Sequence, residues 1–69
     1  MSLSNNLKLI RLEQGINQTE MAKACGVSRQ TIHAIEVSKY TPSVELALKL
    51  AKILNLNVEE LFSLEEKSS

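Results

Sequence analysis

Two caps and a glycine stop, set between positions 17 and 36, constrain this chain of 69 residues more than any other feature. Asn17 stands at the head of a short stretch, and Glu20 follows it at the spacing of a capping box, in which two side chains reciprocally satisfy N–H groups at a helix start. Met21, Ala22 and Cys25 then form an inward stripe, and Gly26 is a natural C-terminal stop. Ser28 caps the next helix, roughly Arg29 to Val37. The sequence therefore describes two short helices separated by a tight turn, each with its own start signal. The second is aliphatic on one side and carries small polar groups on the other, the form of a helix that enters a DNA groove while its back stays fixed to a compact body.

The rest of the chain supplies that body. A first helix is expected from about Ser4 or Asn5 to Gln14, with Leu3, Leu7 and Ile10 at helical spacing and Gly15 as its stop. Pro42 cannot continue a helix and biases Thr41 to extended geometry, so residues 39–42 form a connection. Ser43 caps a fourth helix whose Ala47, Leu50, Ala51 and Leu54 share a face. Asn57 and Glu60 repeat the capping-box spacing and open a last helix that buries Val58, Leu61 and Phe62. The tail after Glu66 is expected to fray. With no strand-period alternation read anywhere, the expectation is an all-α, compact five-helix bundle. It forms a single domain, with its core at about 5–62 and the two-helix unit at about 18–37.

A chain of this length holds one domain and buries only about 60% of its unfolded surface. It has little material with which to wall off a deep active site. One Phe, one Tyr and no Trp leave an aliphatic core. A single cysteine, Cys25, excludes an internal disulfide and fits a reducing cytoplasm. No apolar run approaches the ~18–20 residues of a membrane span, and no charged start leads into an apolar signal stretch. Net charge is zero but unevenly spread. Residues 1–52 carry seven of the eight basic groups and four of the eight acidic ones, a surplus of +3, whereas residues 53–69 stand at −3. Such a layout steers one end toward phosphate and turns the other away, and its modest size makes affinity depend on pairing of subunits.

At 100° per residue, Ile32, Ile35 and Glu36 of the third helix fall on the anchored side. Gln30, Ala34 and Val37 lie opposite, flanked by Thr31 and His33, with Arg29 at the start. Gln can pair with adenine N6/N7 and Arg with guanine O6/N7, while Ala34 lets the helix sit deep and can touch a thymine methyl. Taken singly, most of these polar residues are better explained as ordinary helix surface; the turn and caps around them favour groove reading for Arg29, Gln30, Thr31 and His33, while Ala34 and Val37 suit either. Gln18 opens the second helix, where free N–H groups attract a phosphate. Lys39, Tyr40, Thr41 and Ser43 offer a cation, a phenol and two hydroxyls suited to phosphate positioning. Tyr40 also suits packing against the fourth helix, and Ser43 its cap.

These strings resemble the Cro and lambda-type repressor helix-turn-helix family, also called the xenobiotic-response-element family. The resemblance runs from Leu7-Lys8, Arg11 and Gly15 through Gln18, Glu20-Met21-Ala22 and Gly26-Val27-Ser28-Arg29-Gln30-Thr31-Ile32 to Ile35-Glu36. It continues through Lys39-Tyr40, Pro42-Ser43, Leu46-Ala47 and Ala51 to Val58-Glu59-Glu60-Leu61-Phe62, so it covers about residues 5–62. It implies a lambda repressor-like domain that binds double-stranded operator DNA, pseudo-palindromic, as a homodimer in a cytoplasm of bacterial or phage type. Base reading would fall on Arg29, Gln30, Thr31, His33 and Ala34, and phosphate positioning on Gln18, Ser28, Lys39, Tyr40 and Ser43. It also implies an interior ion pair of Arg11 with Glu36. One departure stands out. Where the family usually has Asn followed by Gly or Lys, this chain has Val37-Ser38, so the reading helix is expected to run about one residue longer and shift Lys39.

The expected output is transcription regulation, as a repressor, with no cofactor. An enzyme is disfavoured because one His, one Cys and no Asp cannot assemble a nucleophile, base and orienting group. A structural zinc site lacks its four ligands. Cys25 reads as a small core residue. The competing function is a protein-interaction or antitoxin-type module of the same fold, with an unknown protein partner and DNA binding weak or secondary. Leu9, Leu12, Leu48 and Leu64 fall off the core stripes and suit either that reading or scattered surface apolarity. Dimerisation is expected through the two C-terminal helices, with no membrane association.

Overall fold

The computed structural model describes residues 2–65; the sequence-predicted fraying after Glu66 lies outside them. In chain order the elements are β1 (Ser2–Asn5), α1 (Leu7–Glu13), α2 (Gln18–Cys25), α3 (Arg29–Glu36), α4 (Val44–Ile53), α5 (Val58–Leu61) and β2 (Phe62–Glu65). The five helices enclose one aliphatic core of Leu7, Met21, Ile32, Ile35, Leu50, Leu54 and Leu61, with Ala22, Cys25, Leu46 and Ala51 between them. Leu9, Leu12, Leu48 and Leu64 stay exposed.

The all-α expectation needs correction. β1 and β2 form a two-stranded antiparallel sheet in which Leu3 faces Leu64 and Ser4 faces Ser63. Hence α1 starts at Leu7 rather than Ser4 or Asn5, Leu3 is a strand residue, and Phe62 begins β2 instead of ending α5. Phe62-Ser63-Leu64-Glu65 does alternate apolar and polar residues, but over four positions only, and Ser2-Leu3-Ser4-Asn5 holds a single apolar residue, too little to distinguish either from a helix terminus. What decides is the contact between them, 60 residues apart, and the anchoring of the junction. Asn5 Oδ1 accepts the Leu7 N–H at 3.2 Å while its Nδ2 donates to the Ile35 carbonyl at 3.0 Å. Asn6 N–H continues the ladder to the Leu61 carbonyl at 2.9 Å.

The helix starts follow their caps. Asn17 accepts from the Glu20 N–H at 2.8 Å and Glu20 accepts from the Asn17 N–H at 3.0 Å, closing the capping box. Ser28 and Ser43 cap α3 and α4 through the N–H groups of Thr31 and Leu46. Glu60 accepts the Asn57 N–H at 3.0 Å.

The ends share one device. After each of α1 to α4 a left-handed residue sends its own N–H three residues back, and the next N–H reaches five back. The pairs are Gly15 to Leu12 with Ile16 to Arg11, Gly26 to Lys23 with Val27 to Ala22, Ser38 to Ile35 with Lys39 to Ala34, and Asn55 to Lys52 with Leu56 to Ala51. This is the Schellman arrangement, which satisfies the last free carbonyls. It also corrects the expectation about Val37. The β-branched residue keeps φ −92° as the C-cap, α3 stops at Glu36, and Ser38 takes the left-handed turn at φ 62°. Lys39 is therefore not displaced by an extra helical residue.

Arg11 and Glu36 meet in the interior, with side chains only 6% and 2% exposed. Arg11 Nε donates to Glu36 Oε2 at 2.6 Å and Nη2 to Oε1 at 3.4 Å, while Nη1 donates to the Ile16 carbonyl at 2.7 Å. Gln18 Nε2 adds a further bond to Glu36 Oε1 at 2.9 Å. No buried side-chain nitrogen or oxygen is unpartnered among the described residues.

Two stability measurements test this account. Glu36→Gln strands the Arg11 charge in the core and should cost about 3–5 kcal/mol in urea unfolding. Ser38→Gly relieves a left-handed non-glycine residue and should raise stability by about 1 kcal/mol in the same assay, with no change in helix content by circular dichroism.

Candidate nucleic-acid interface

Burial fixes which side of α3 is free. Ile32 and Ile35 lie in the core and the Glu36 side chain is inside. Arg29, Gln30 and His33 are exposed, and Thr31 and Ala34 are half-buried. The Gln30-bearing surface is not covered by another element: it opens onto a groove of about 410 Å³ lined by Val27, Ser28, Thr31, Ala34, Tyr40 and Leu46 as well as Gln30. The groove has an apolar floor and hydroxyl and amide groups at its rim, a mixture able to meet both a base edge and a sugar. Its rim is partly set from within. The Ser28 hydroxyl that caps α3 also shares a hydrogen bond with the Thr31 hydroxyl at 3.0 Å.

A second cluster joins the two helices of the motif. Arg29 Nη1 donates to Gln18 Oε1 at 3.0 Å, so the guanidinium is folded back toward the start of α2. The Gln18 amide nitrogen meanwhile bonds Glu36 and lies 3.5 Å from His33 Nδ1. Gln18 thus has both ends of its side chain engaged inside the protein, and its contribution to an anion would come from the N–H groups of the first turn of α2.

The ten sequence-predicted interface residues separate into three groups. Ser28, Gln30, Thr31, Ala34 and Tyr40 surround the groove. Gln18, Arg29 and His33 form the hydrogen-bonded cluster beside it. Lys39 and Ser43 belong to neither. Lys39 is exposed in the α3–α4 connection, where its N–H and that of Tyr40 both bond the Ala34 carbonyl at 2.9 and 3.2 Å. Ser43 is occupied in capping α4. Tyr40 is 47% exposed, with its ring at the groove wall.

Sequence reasoning missed Val27 and Leu46 as walls of this groove. Both figure only in the strings of the family resemblance, and nothing in the spacing shows that α4 brings Leu46 beside Ala34. It also missed the Gln18–Glu36 bond, which joins residues 18 positions apart and leaves no local signature.

Cys25 is buried, and burial pushes its thiol pKa up, with the Lys49 charge partly opposing. A thiol held protonated in this way is a poor nucleophile. No group of three or more His, Cys, Asp or Glu side chains suited to a metal ion occurs among the described residues. No described helix is long and apolar enough to cross a membrane.

The helix-turn-helix family model matches residues 7–61, most of the chain. An uncharacterised HTH-type transcriptional regulator of Methanocaldococcus jannaschii is 45% identical over 64 residues, covering 93% of this chain and 97% of that protein. A second uncharacterised HTH-type transcriptional regulator, YgzD of Bacillus subtilis, is 39% identical over 66 residues, covering 96% of this chain and all of that protein. Among solved structures, the N-terminal DNA-binding domain of SinR from Bacillus subtilis superposes with a TM-score of 0.74 at 29% identity, covering 93% of this chain and 91% of that one. Sequence, cap geometry and backbone agree, and the chain belongs to the helix-turn-helix family of DNA-binding transcriptional regulators.

Proposed function

We propose that the protein reads double-stranded operator DNA sequence-specifically in the major groove with α3 and acts as a transcriptional repressor. The observation that carries this reading is the open Gln30 face, presented beside a groove while the opposite face of the same helix is locked into the core. Gln30 and Arg29 take base edges, with Thr31, His33 and Ala34 completing the contact surface. Ser28, Lys39, Tyr40 and Ser43, with the first turn of α2 at Gln18, hold phosphates on either side. Arg29 must exchange its bond to Gln18 for one to DNA, which makes its net contribution smaller than that of an unengaged arginine.

A two-fold homodimer on a pseudo-palindromic operator supplies the affinity that a neutral monomer lacks, placing reading helices on half-sites about 34 Å apart. The seam suited to this is the outer side of α4 and α5. There Leu48, Leu56 and Val58 border an open groove of about 580 Å³, whose lining also includes Lys52 of α4 and Glu59 and Glu60 of α5. Charges of both signs in one groove can pair across a two-fold axis. A bound domain of this kind excludes other proteins from the same stretch of duplex, and that is repression.

The interaction-module reading is favoured by one feature, Leu9 and Leu12, which are 61% and 58% exposed and lie three residues apart on α1. Selection from a random duplex pool followed by titrations at several salt concentrations separates the two. A regulator gives a defined, symmetric site and a linear fall of log affinity with log salt. Binding without sequence preference or salt slope would establish the interaction module instead. On the selected site, Gln30→Ala should cost about 1–3 kcal/mol and relax preference at one base pair, whereas Lys39→Ala should weaken selected and random duplexes alike.

A further inference from the structure

The two-stranded sheet has a free edge whose geometry suits one occupant, a second copy of itself. The bond from Asn6 N–H to the Leu61 carbonyl makes that pair hydrogen-bonded, so the alternation of an antiparallel ladder assigns Ser4–Ser63 to the bonded class and Leu3–Leu64 and Asn5–Phe62 to the non-bonded class. The N–H and C=O of Leu3 therefore point away from β2, along the open edge of β1. That edge is short, four residues, but Ser2–Asn5 has no charge, no proline and no bulge to turn a partner strand away.

We propose that two copies join β1 to β1 about a two-fold axis at Leu3, forming a four-stranded antiparallel sheet. On that axis each Leu3 N–H donates to the Leu3 carbonyl of the other copy. The flanking positions, Ser-Leu-Ser, read the same in both directions, so like faces like with no charge in the seam. The apolar face extends at the same time. Leu3 and Leu64, 37% and 65% exposed and paired across the strands, become a row of four leucines spanning both copies. A two-stranded ribbon is marginal in water, and two further strands relieve that weakness. The equivalent pairing of β2 is disfavoured, since centring it on Leu64 sets the two Glu65 side chains diagonally across the seam, within reach of like-charge repulsion.

This surface shares no lining residue with the α4–α5 groove, although Leu3 also borders a small pocket with Tyr40 and Thr41, and its test needs no DNA. The seam is small, so association is expected to be weak and concentration-dependent. In the full chain, Leu3→Cys places two thiols on the axis, where opposed Cα atoms about 5.5 Å apart suit a disulfide. Leu64→Cys leaves them roughly 14 Å apart, three strand spacings. Under mild oxidation the Leu3→Cys chain should form a disulfide-linked dimer at least tenfold faster than the Leu64→Cys chain at equal concentration. Leu3→Pro, which removes an outward N–H while sparing the bonds between β1 and β2, should halve the limiting mass in sedimentation. Equal cross-linking rates for the two cysteine variants, or unchanged sedimentation of a folded Leu3→Pro chain, overturns the proposal.

Discussion

The carboxylate of Glu36 is the point on which the rest of the domain depends. It receives Arg11 from α1 and Gln18 from the start of α2, and it sits on the last turn of α3. Arg11 in turn bonds the Ile16 carbonyl in the connection between α1 and α2. One buried anion therefore fixes three helices and a turn at a single locus. An apolar triad of similar volume would fill the same space at equal or lower cost, as buried charge is expensive to desolvate. What the charged set adds is direction. Bidentate contact ties α1 to α3, and the Gln18 amide sets the start of α2 against the end of α3.

That arrangement reaches the surface through Gln18. Its amide nitrogen is committed to Glu36, and its oxygen is consequently aimed outward, where it holds Arg29. Interior and candidate interface are joined by a continuous chain of hydrogen bonds from the Ile16 carbonyl to the Arg29 guanidinium. The Arg29 guanidinium is thereby folded back on Gln18, and the proposed contact of Arg29 with a base edge requires that bond to be exchanged.

Local features of the fold were legible because local chemistry determines them. Asn17, Ser28, Ser43 and Asn57 each precede a helix, and Gly15 and Gly26 each end one. The off-stripe leucines at positions 9, 12, 48 and 64 are exposed. The family was legible from the same strings. Illegible features depend on residues far apart in sequence or on a competition between backbone alternatives. The strand pair joins the two ends of the described chain, and four alternating residues do not identify such a partner. At the end of α3, β-branched Val37 resists the left-handed region, yet the turn needed only that some neighbouring residue accept it, and Ser38 does. Within the candidate interface, residue types pointed to groove reading, but spacing could not show that Gln18 faces inward and outward together or that Leu46 approaches Ala34.

The sheet also bears on the order in which the chain organises. Helices with their own caps and six-residue terminators need only neighbouring residues and can nucleate early. Closing Ser4 onto Ser63 requires a loop of nearly the whole chain to be brought together, and the entropy of that closure is offset only after the core has drawn both ends in. The ribbon is thus a late clasp whose bonds lie in series between the two chain ends. A pull on those ends opens it one rung at a time, so the clasp yields to tension before the helical core does.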